Sequence, residues 1–224
     1  MSNLLEKASI LLTPTAYDDG KILSVKPEDG TGDFTFTRNS SATRVTSQGL
    51  IEDITSNLPR IDYSPYSGAG TCGHWLFEPQ KTNLLTYSEQ FDNASWINNG
   101  VTINANQVVS PDGALTADLL TGVSGGFGVV KFSTWTATNK GASCFAKAGS
   151  TSIFKIANKS AINRYVIFDL SNGTVSEEST GWTGSIENFG NGWYRCTAIS
   201  NSETGTFSLG VTAASESVYI WGAQ

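Results

Sequence analysis

The chain has 224 residues and a single histidine, His74, which limits the reactions open to it. A serine or cysteine nucleophile needs an imidazole base held in place by a third group, and a histidine-rich metal site needs several imidazoles. His74 stands in Cys72-Gly73-His74-Trp75, two residues from a thiol. Residues two apart on an extended segment project to the same side, so the two side chains can meet. Nothing nearby in the sequence would orient the ring, and a structural or surface histidine is the expectation.

Glycoside hydrolysis needs two carboxyl groups facing one another across the scissile bond. Glu177 and Glu178 are adjacent on a predicted strand and point to opposite faces. Asp18, Asp19, Asp53 and Asp62 fall at turns or strand edges, where carboxylates cap the chain. The glycine-rich run Gly122-Val123-Ser124-Gly125-Gly126 lacks the Lys-Ser/Thr pair that completes a phosphate-binding loop. Asp92, Asn93, Asp112 and Asp118 offer hard oxygens to a calcium ion, but capping of tight turns accounts for the same residues more simply. No catalytic residue, cofactor or metal is expected.

Six tryptophans remain as candidates for recognition. Trp96, Trp193 and Trp221 lie in or beside apolar strand patterns and read as core. Trp135, in Phe132-Ser133-Thr134-Trp135-Thr136, and Trp182, in Thr180-Gly181-Trp182-Thr183, sit in polar, loop-like surroundings. Each either folds back as a lid on a sheet edge or stacks on a sugar, burying up to roughly 200 Å² of ring. They are the two candidate glycan-binding residues.

The composition narrows the elements that must position these groups. Charged residues make up 15% of the chain, against roughly a quarter in an ordinary soluble protein. Its polar surface therefore comes from Ser, Thr, Asn and Gly, which suit turns and exposed sheet faces rather than helices. The net charge of −6 and scattered basic residues exclude a general phosphate-backbone binder or an anionic-membrane patch. Cys72, Cys144 and Cys196 have no zinc spacing. Buried free thiols are the first reading of Cys144 and Cys196, with a bridge across facing strands as the alternative. No apolar run nears the roughly 18 residues of a membrane span. Met1 to Lys7 does not open a signal peptide, so synthesis in a cytoplasm without an export signal is expected.

Residues 1–83 read as short strands in irregular chain. Ile10–Tyr17 and Lys21–Val25 form a plausible hairpin about Asp18-Asp19-Gly20, and Phe34–Thr37 alternates apolar with polar. The stretch has too little apolar periodicity to bury a core alone. From residue 84 the pattern becomes regular strands with frequent turn signals, as in an antiparallel β-sandwich. The expected strands are Val101–Ile103, Ala114–Leu120, Gly128–Phe132, Ala142–Ala148, Ser152–Ala157, Tyr165–Leu170, Thr174–Glu178, Gly184–Asn188, Trp193–Ala198, Thr206–Val211 and Val218–Trp221. Asn172-Gly173 and Asn191-Gly192 mark hairpin turns. Val218–Gly222 alternates to the end of the chain, from which either a continuation past Gln224 or closure of this strand by something outside it is expected. The fold class is all-β: a sandwich over 84–224, preceded by an extended, short-strand segment over 1–83.

Several runs carry a family likeness. RNSSATRVTSQGLIEDITSNLPRIDY (38–63) and WLFEPQKTNLLTYSEQFDNASW (75–96) resemble a module of bacteriophage virion proteins. PDGALTADLL (111–120), ENFGNGWYRC (187–196) and VYIWGAQ (218–224) are similar to the carbohydrate-binding-module type of jelly roll found in such proteins. Residues 1–27 resemble the opening of fibre and appendage proteins of crAss-like and related phages. The resemblance implies a head or tail fibre or decoration of a virion, made in the host cytoplasm. Its 1–83 segment would attach to capsid or tail proteins and form a homo-oligomer, trimer or dimer, while the sandwich met host-surface polysaccharide. The resemblance brings no catalytic set, and neither nucleic acid nor membrane is an expected partner. The alternative is a carbohydrate-binding accessory module of a glycan-processing enzyme, with a capsule-degrading enzyme of the same virion as a third reading.

Overall fold

The computed structural model describes residues 4–65, 68, 70–79, 83–123, 128–131, 140–158, 163–200 and 206–224. The chain divides into two units, Met1–Gln80 and Lys81–Gln224.

The first unit begins with a single helical turn, α1 (Leu4–Lys7). An antiparallel sheet of β1 (Leu11–Asp18), β2 (Lys21–Lys26) and β3 (Phe34–Thr35) follows, in that order. Asp19 and Gly20 both have positive φ, the conformation of a tight two-residue hairpin turn. The β1–β2 register breaks between Leu12 and Tyr17, where Pro14 has no amide hydrogen to give the ladder. Two further pairs complete the unit: β4 (Ala42–Val45) with β5 (Ile51–Ile54), and β6 (Ile61–Asp62) with β7 (His74–Trp75).

Polar pins do much of the work a core would do. Among the described residues of this unit, Ile22 and Val45 are the buried apolar side chains. The Arg38 guanidinium donates to the carbonyls of Ser40 (2.6 Å), Ile54 (3.2 Å), Thr55 (2.6 Å) and Leu58 (3.0 Å). The buried Asp62 carboxylate accepts from the Val45 amide (2.7 Å), the Ser64 amide (2.7 Å) and the Ser64 hydroxyl. Arg60, also buried, donates to the Thr43 carbonyl (3.0 Å) and pairs with Glu78 (2.8 Å).

The second unit is an antiparallel sandwich. Its strands are β8 (Ile97–Asn99), β9 (Val101–Val108), β10 (Ala117–Gly122), β11 (Gly128–Lys131), β12 (Lys140–Ala148) and β13 (Ile153–Asn158). They continue with β14 (Tyr165–Asp169), β15 (Thr174–Glu178), β16 (Trp182–Gly190), β17 (Trp193–Ser200), β18 (Phe207–Gly210) and β19 (Ser217–Trp221). One sheet runs β16-β17-β12-β19-β10-β9 and the other β15-β14-β13-β18-β11-β8. Alternation fills the space between them: Phe154, Ile156, Val166, Phe168 and Leu209 from the second sheet meet Leu120, Cys144, Ala146, Cys196, Val218 and Ile220 from the first. Burying one such phenylalanine contributes about 1.5–3 kcal/mol.

The unit's entry is part of the same core. Leu85, Phe91 and Trp96 are buried in it before the first strand begins. The Asn83 side-chain amide donates to the Ala223 carbonyl (2.8 Å), and the Ala223 amide to the Ser88 carbonyl (2.9 Å). Gln224 and Ser143 exchange two backbone hydrogen bonds of 2.8 Å.

Two local expectations need correction. Asn191 and Gly192, both at positive φ, do form a tight turn between β16 and β17. The Asn172-Gly173 reversal is longer: Asp169 pairs with Thr174, and of the two residues only Gly173 is left-handed. Trp182, placed in a loop from its polar neighbours, is instead the first residue of β16 and packs against the core.

Candidate functional site

Among the described residues, no hydrogen bond joins His74 to Cys72 or to a third side chain. β7 places His74 opposite Asp62, a pairing that sequence spacing does not reveal. The Asp62 carboxylate is already spent on Val45 and Ser64, and it serves the fold. His74 and Cys72 are exposed, with the Cys72 thiol 3.9 Å from the Gly70 carbonyl.

The four candidate calcium ligands cap or pin backbone where the structure gives their bonds. Asn93 accepts from the Ser95 amide (2.9 Å), and Asp112 from the Ala114 amide (3.0 Å) and the Ser110 hydroxyl (2.5 Å). Asp118, 1% exposed, accepts from the amides of Phe91 (3.0 Å) and Asn106 (2.9 Å). Burial raises its carboxyl above the ordinary range, and the two amides oppose that shift. Among the described residues, no three His, Cys, Asp or Glu side chains come together as a metal site.

Cys144 and Cys196 face one another directly across the β12–β17 ladder and are free, buried thiols. Burial pushes both well above the usual thiol range. They are packing groups rather than nucleophiles.

The tryptophans divide cleanly. The indole N–H of Trp96 donates to the Tyr87 carbonyl (2.9 Å), that of Trp193 to the Val109 carbonyl (3.1 Å), and that of Trp221 to the Thr116 hydroxyl (3.2 Å). All three are buried, as their sequence pattern predicts. Trp182 stands opposite Ser200 in the β16–β17 ladder. Its indole nitrogen and the Ser200 hydroxyl are both buried without a hydrogen-bond partner among the described residues. Trp135 lies outside the described residues.

Two surfaces that the candidate list missed stand out. On the first unit, Trp75 stacks on Phe77 (ring centroids 6.2 Å apart, planes at 26°), and Phe77 lies 6.4 Å from Phe36. Phe77 is 62% exposed, and Phe34, two residues before Phe36 in the same extended run, is 47% exposed. On the sandwich, Lys155, Tyr165 and Glu177 gather on the outer face of the second sheet. The Tyr165 hydroxyl donates to Glu177 Oε1 at 2.5 Å, and Lys155 Nζ sits 4.7 Å above the Tyr165 ring. The hydrogen bond to Glu177 raises the Tyr165 phenol, and burial lowers the Lys155 ammonium, with Glu177 opposing. Alternation alone could have marked Lys155 and Tyr165 as outward-facing, but only the strand register brings them to Glu177.

The chain matches no model of a known protein family, and no curated protein is similar to it.

Proposed function

We propose that the chain is a structural component of a bacteriophage virion, a head or tail fibre or decoration that catalyses no reaction. In this reading residues 1–83 form a homo-oligomer, dimer or trimer, and dock on capsid or tail proteins. The sandwich is displayed outward and adheres to host-surface polysaccharide. The protein is made in the host cytoplasm and reaches the outside on the particle.

The observation that carries the assembly half is the imbalance of the first unit. It buries few apolar side chains yet leaves a row of aromatic rings in water. Two half-exposed phenylalanines leave roughly 200 Å² of ring surface open. That is about a quarter of one side of a standard interface, enough for its centre but not its whole area. A second copy of the same chain is always present and would cover it symmetrically.

Light scattering tests the reading. The full chain should be an oligomer, a chain beginning at Asn83 a folded monomer, and Phe77→Asp should dissociate the full chain. A monomeric full chain would sink the assembly half. Absence of the protein from purified particles would sink the virion assignment.

A further inference from the structure

The outer face of the second sheet has one row whose chemistry the fold does not require. Lys155, Ile167 and Glu177 are direct neighbours across β13, β14 and β15. Phe154, Ile156, Val166 and Phe168 fill the inner face of the same strands, so this row points outward. Strands are about 4.8 Å apart, which sets Lys155 and Glu177 about 10 Å apart at the backbone with Ile167 between them. Tyr165 closes one side, tied to Glu177 through its hydroxyl and lying under the Lys155 ammonium.

We propose that this row is a binding site for a neutral sugar ring, laid on Ile167 with hydroxyls reaching Lys155 on one side and Glu177 on the other. It rests on the glycan-adhesion half of the reading above and moves the contact from the loop tryptophans to the sheet face.

Three features support it. The partly buried Lys155 ammonium has no hydrogen-bond acceptor among the described residues; its neighbours are the Tyr165 ring and, through charge attraction without a hydrogen bond, the Glu177 carboxylate. Tyr165 engages one Glu177 oxygen, which leaves the carboxylate with accepting capacity. The row therefore offers donors at one end and an acceptor at the other. A sugar hydroxyl both donates and accepts, so hydroxyls on opposite edges of one ring satisfy the two ends together. An anion would meet Glu177 and a cation would meet Lys155, which selects against both. Ile167 supplies an apolar floor for the C–H face of the ring.

The competing explanation is a cross-strand cluster that only steadies the sheet. The two part under titration of the full chain with methyl α-glucoside, α-mannoside and α-galactoside, followed by NMR at the Lys155 side chain and the Tyr165 ring. At least one hexoside should move both sets of signals saturably. Lys155→Met, which keeps the aliphatic stem, should weaken that binding about tenfold without lowering the melting temperature, and Glu177→Gln should do the same. Signals that ignore all three sugars, or respond equally in Lys155→Met, overturn the site. If the signals respond but the full chain is not retained on host polysaccharide, adhesion fails while the site stands. If the chain is retained while the signals stay still, adhesion stands and the site fails.

Discussion

Replacing Ser200 by alanine should make the protein more stable, against the usual direction of a buried substitution. Ser200 is 5% exposed and its hydroxyl has no hydrogen-bond partner among the described residues. An unsatisfied buried hydroxyl costs about 1–3 kcal/mol relative to its hydrated state. Deleting one oxygen leaves a void of about 10–15 Å³, which costs roughly 0.3 kcal/mol at 24 cal/mol per Å³. The net expectation is a gain of about 1 kcal/mol, seen as an increase of about 2–4 °C in melting temperature. Ser110→Ala is the internal contrast. That hydroxyl is bonded to Asp112 (2.5 Å), the Ala114 carbonyl (2.8 Å) and Thr116 (2.7 Å), so its loss should destabilise by about 1–3 kcal/mol. Urea unfolding with unchanged m-values would report both. Trp182→Phe removes the facing indole N–H, and in a double-mutant cycle with Ser200→Ala the coupling should be near zero, because the two groups do not bond. Destabilisation by Ser200→Ala, together with coupling above about 1 kcal/mol, would show that the pair is hydrogen-bonded after all and would refute the reasoning.

Asp118→Ala should cost about 2–5 kcal/mol, because it leaves the Phe91 and Asn106 amides without their acceptor; a loss below about 1 kcal/mol in urea would contradict this. The pH dependence has a definite sign. Since burial raises the folded carboxyl, the stability it contributes is fully present below the unfolded value near about 3.9 and is lost as pH rises through the folded value. Wild type should therefore lose stability relative to Asp118→Asn as pH climbs through that window, and a relative gain would reverse the assignment. A thiol reagent should label Cys72 at once in the folded protein and Cys144 and Cys196 only after denaturant is added, as read by mass spectrometry of digested peptides. Prompt labelling of either buried cysteine would contradict the packing at the β12–β17 ladder.

The sandwich was legible because its residues obey one short-range rule. Phe154/Ile156, Val166/Phe168 and Val218/Ile220 alternate with outward residues, and that periodicity alone locates a half-buried strand. Where the rule has little to act on, reading failed. β8 is three residues, Ile97-Asn98-Asn99, and runs into Gly100, so it looks like a turn. Trp182 has a polar neighbour on one side and a glycine on the other, yet starts a strand because Ser200 and the β17 ladder pair with it. The candidate site was harder still. Lys155, Tyr165 and Glu177 are ordinary polar strand residues until register sets them side by side, and register depends on pairing between distant segments. The first unit hid its framework differently: Arg38 and Arg60 stand in polar, irregular stretches that carry no periodicity, and Asp62 reads as a local cap, whereas the fold turns all three toward carbonyls and amides of distant segments.

The clasp between Asn83 and Ala223 sets how the sandwich would respond to being pulled. Its first and last segments are joined by side-chain and backbone hydrogen bonds at Asn83, Ser88 and Ala223. Tension applied at these two points would load that small clasp first and leave the strands slack. The sandwich then hangs from the line of force like a pendant, adding breadth to any longer chain that carries it without adding length. Neighbouring ends of this kind also mark a unit that tolerates insertion into another chain or rejoining of its own termini.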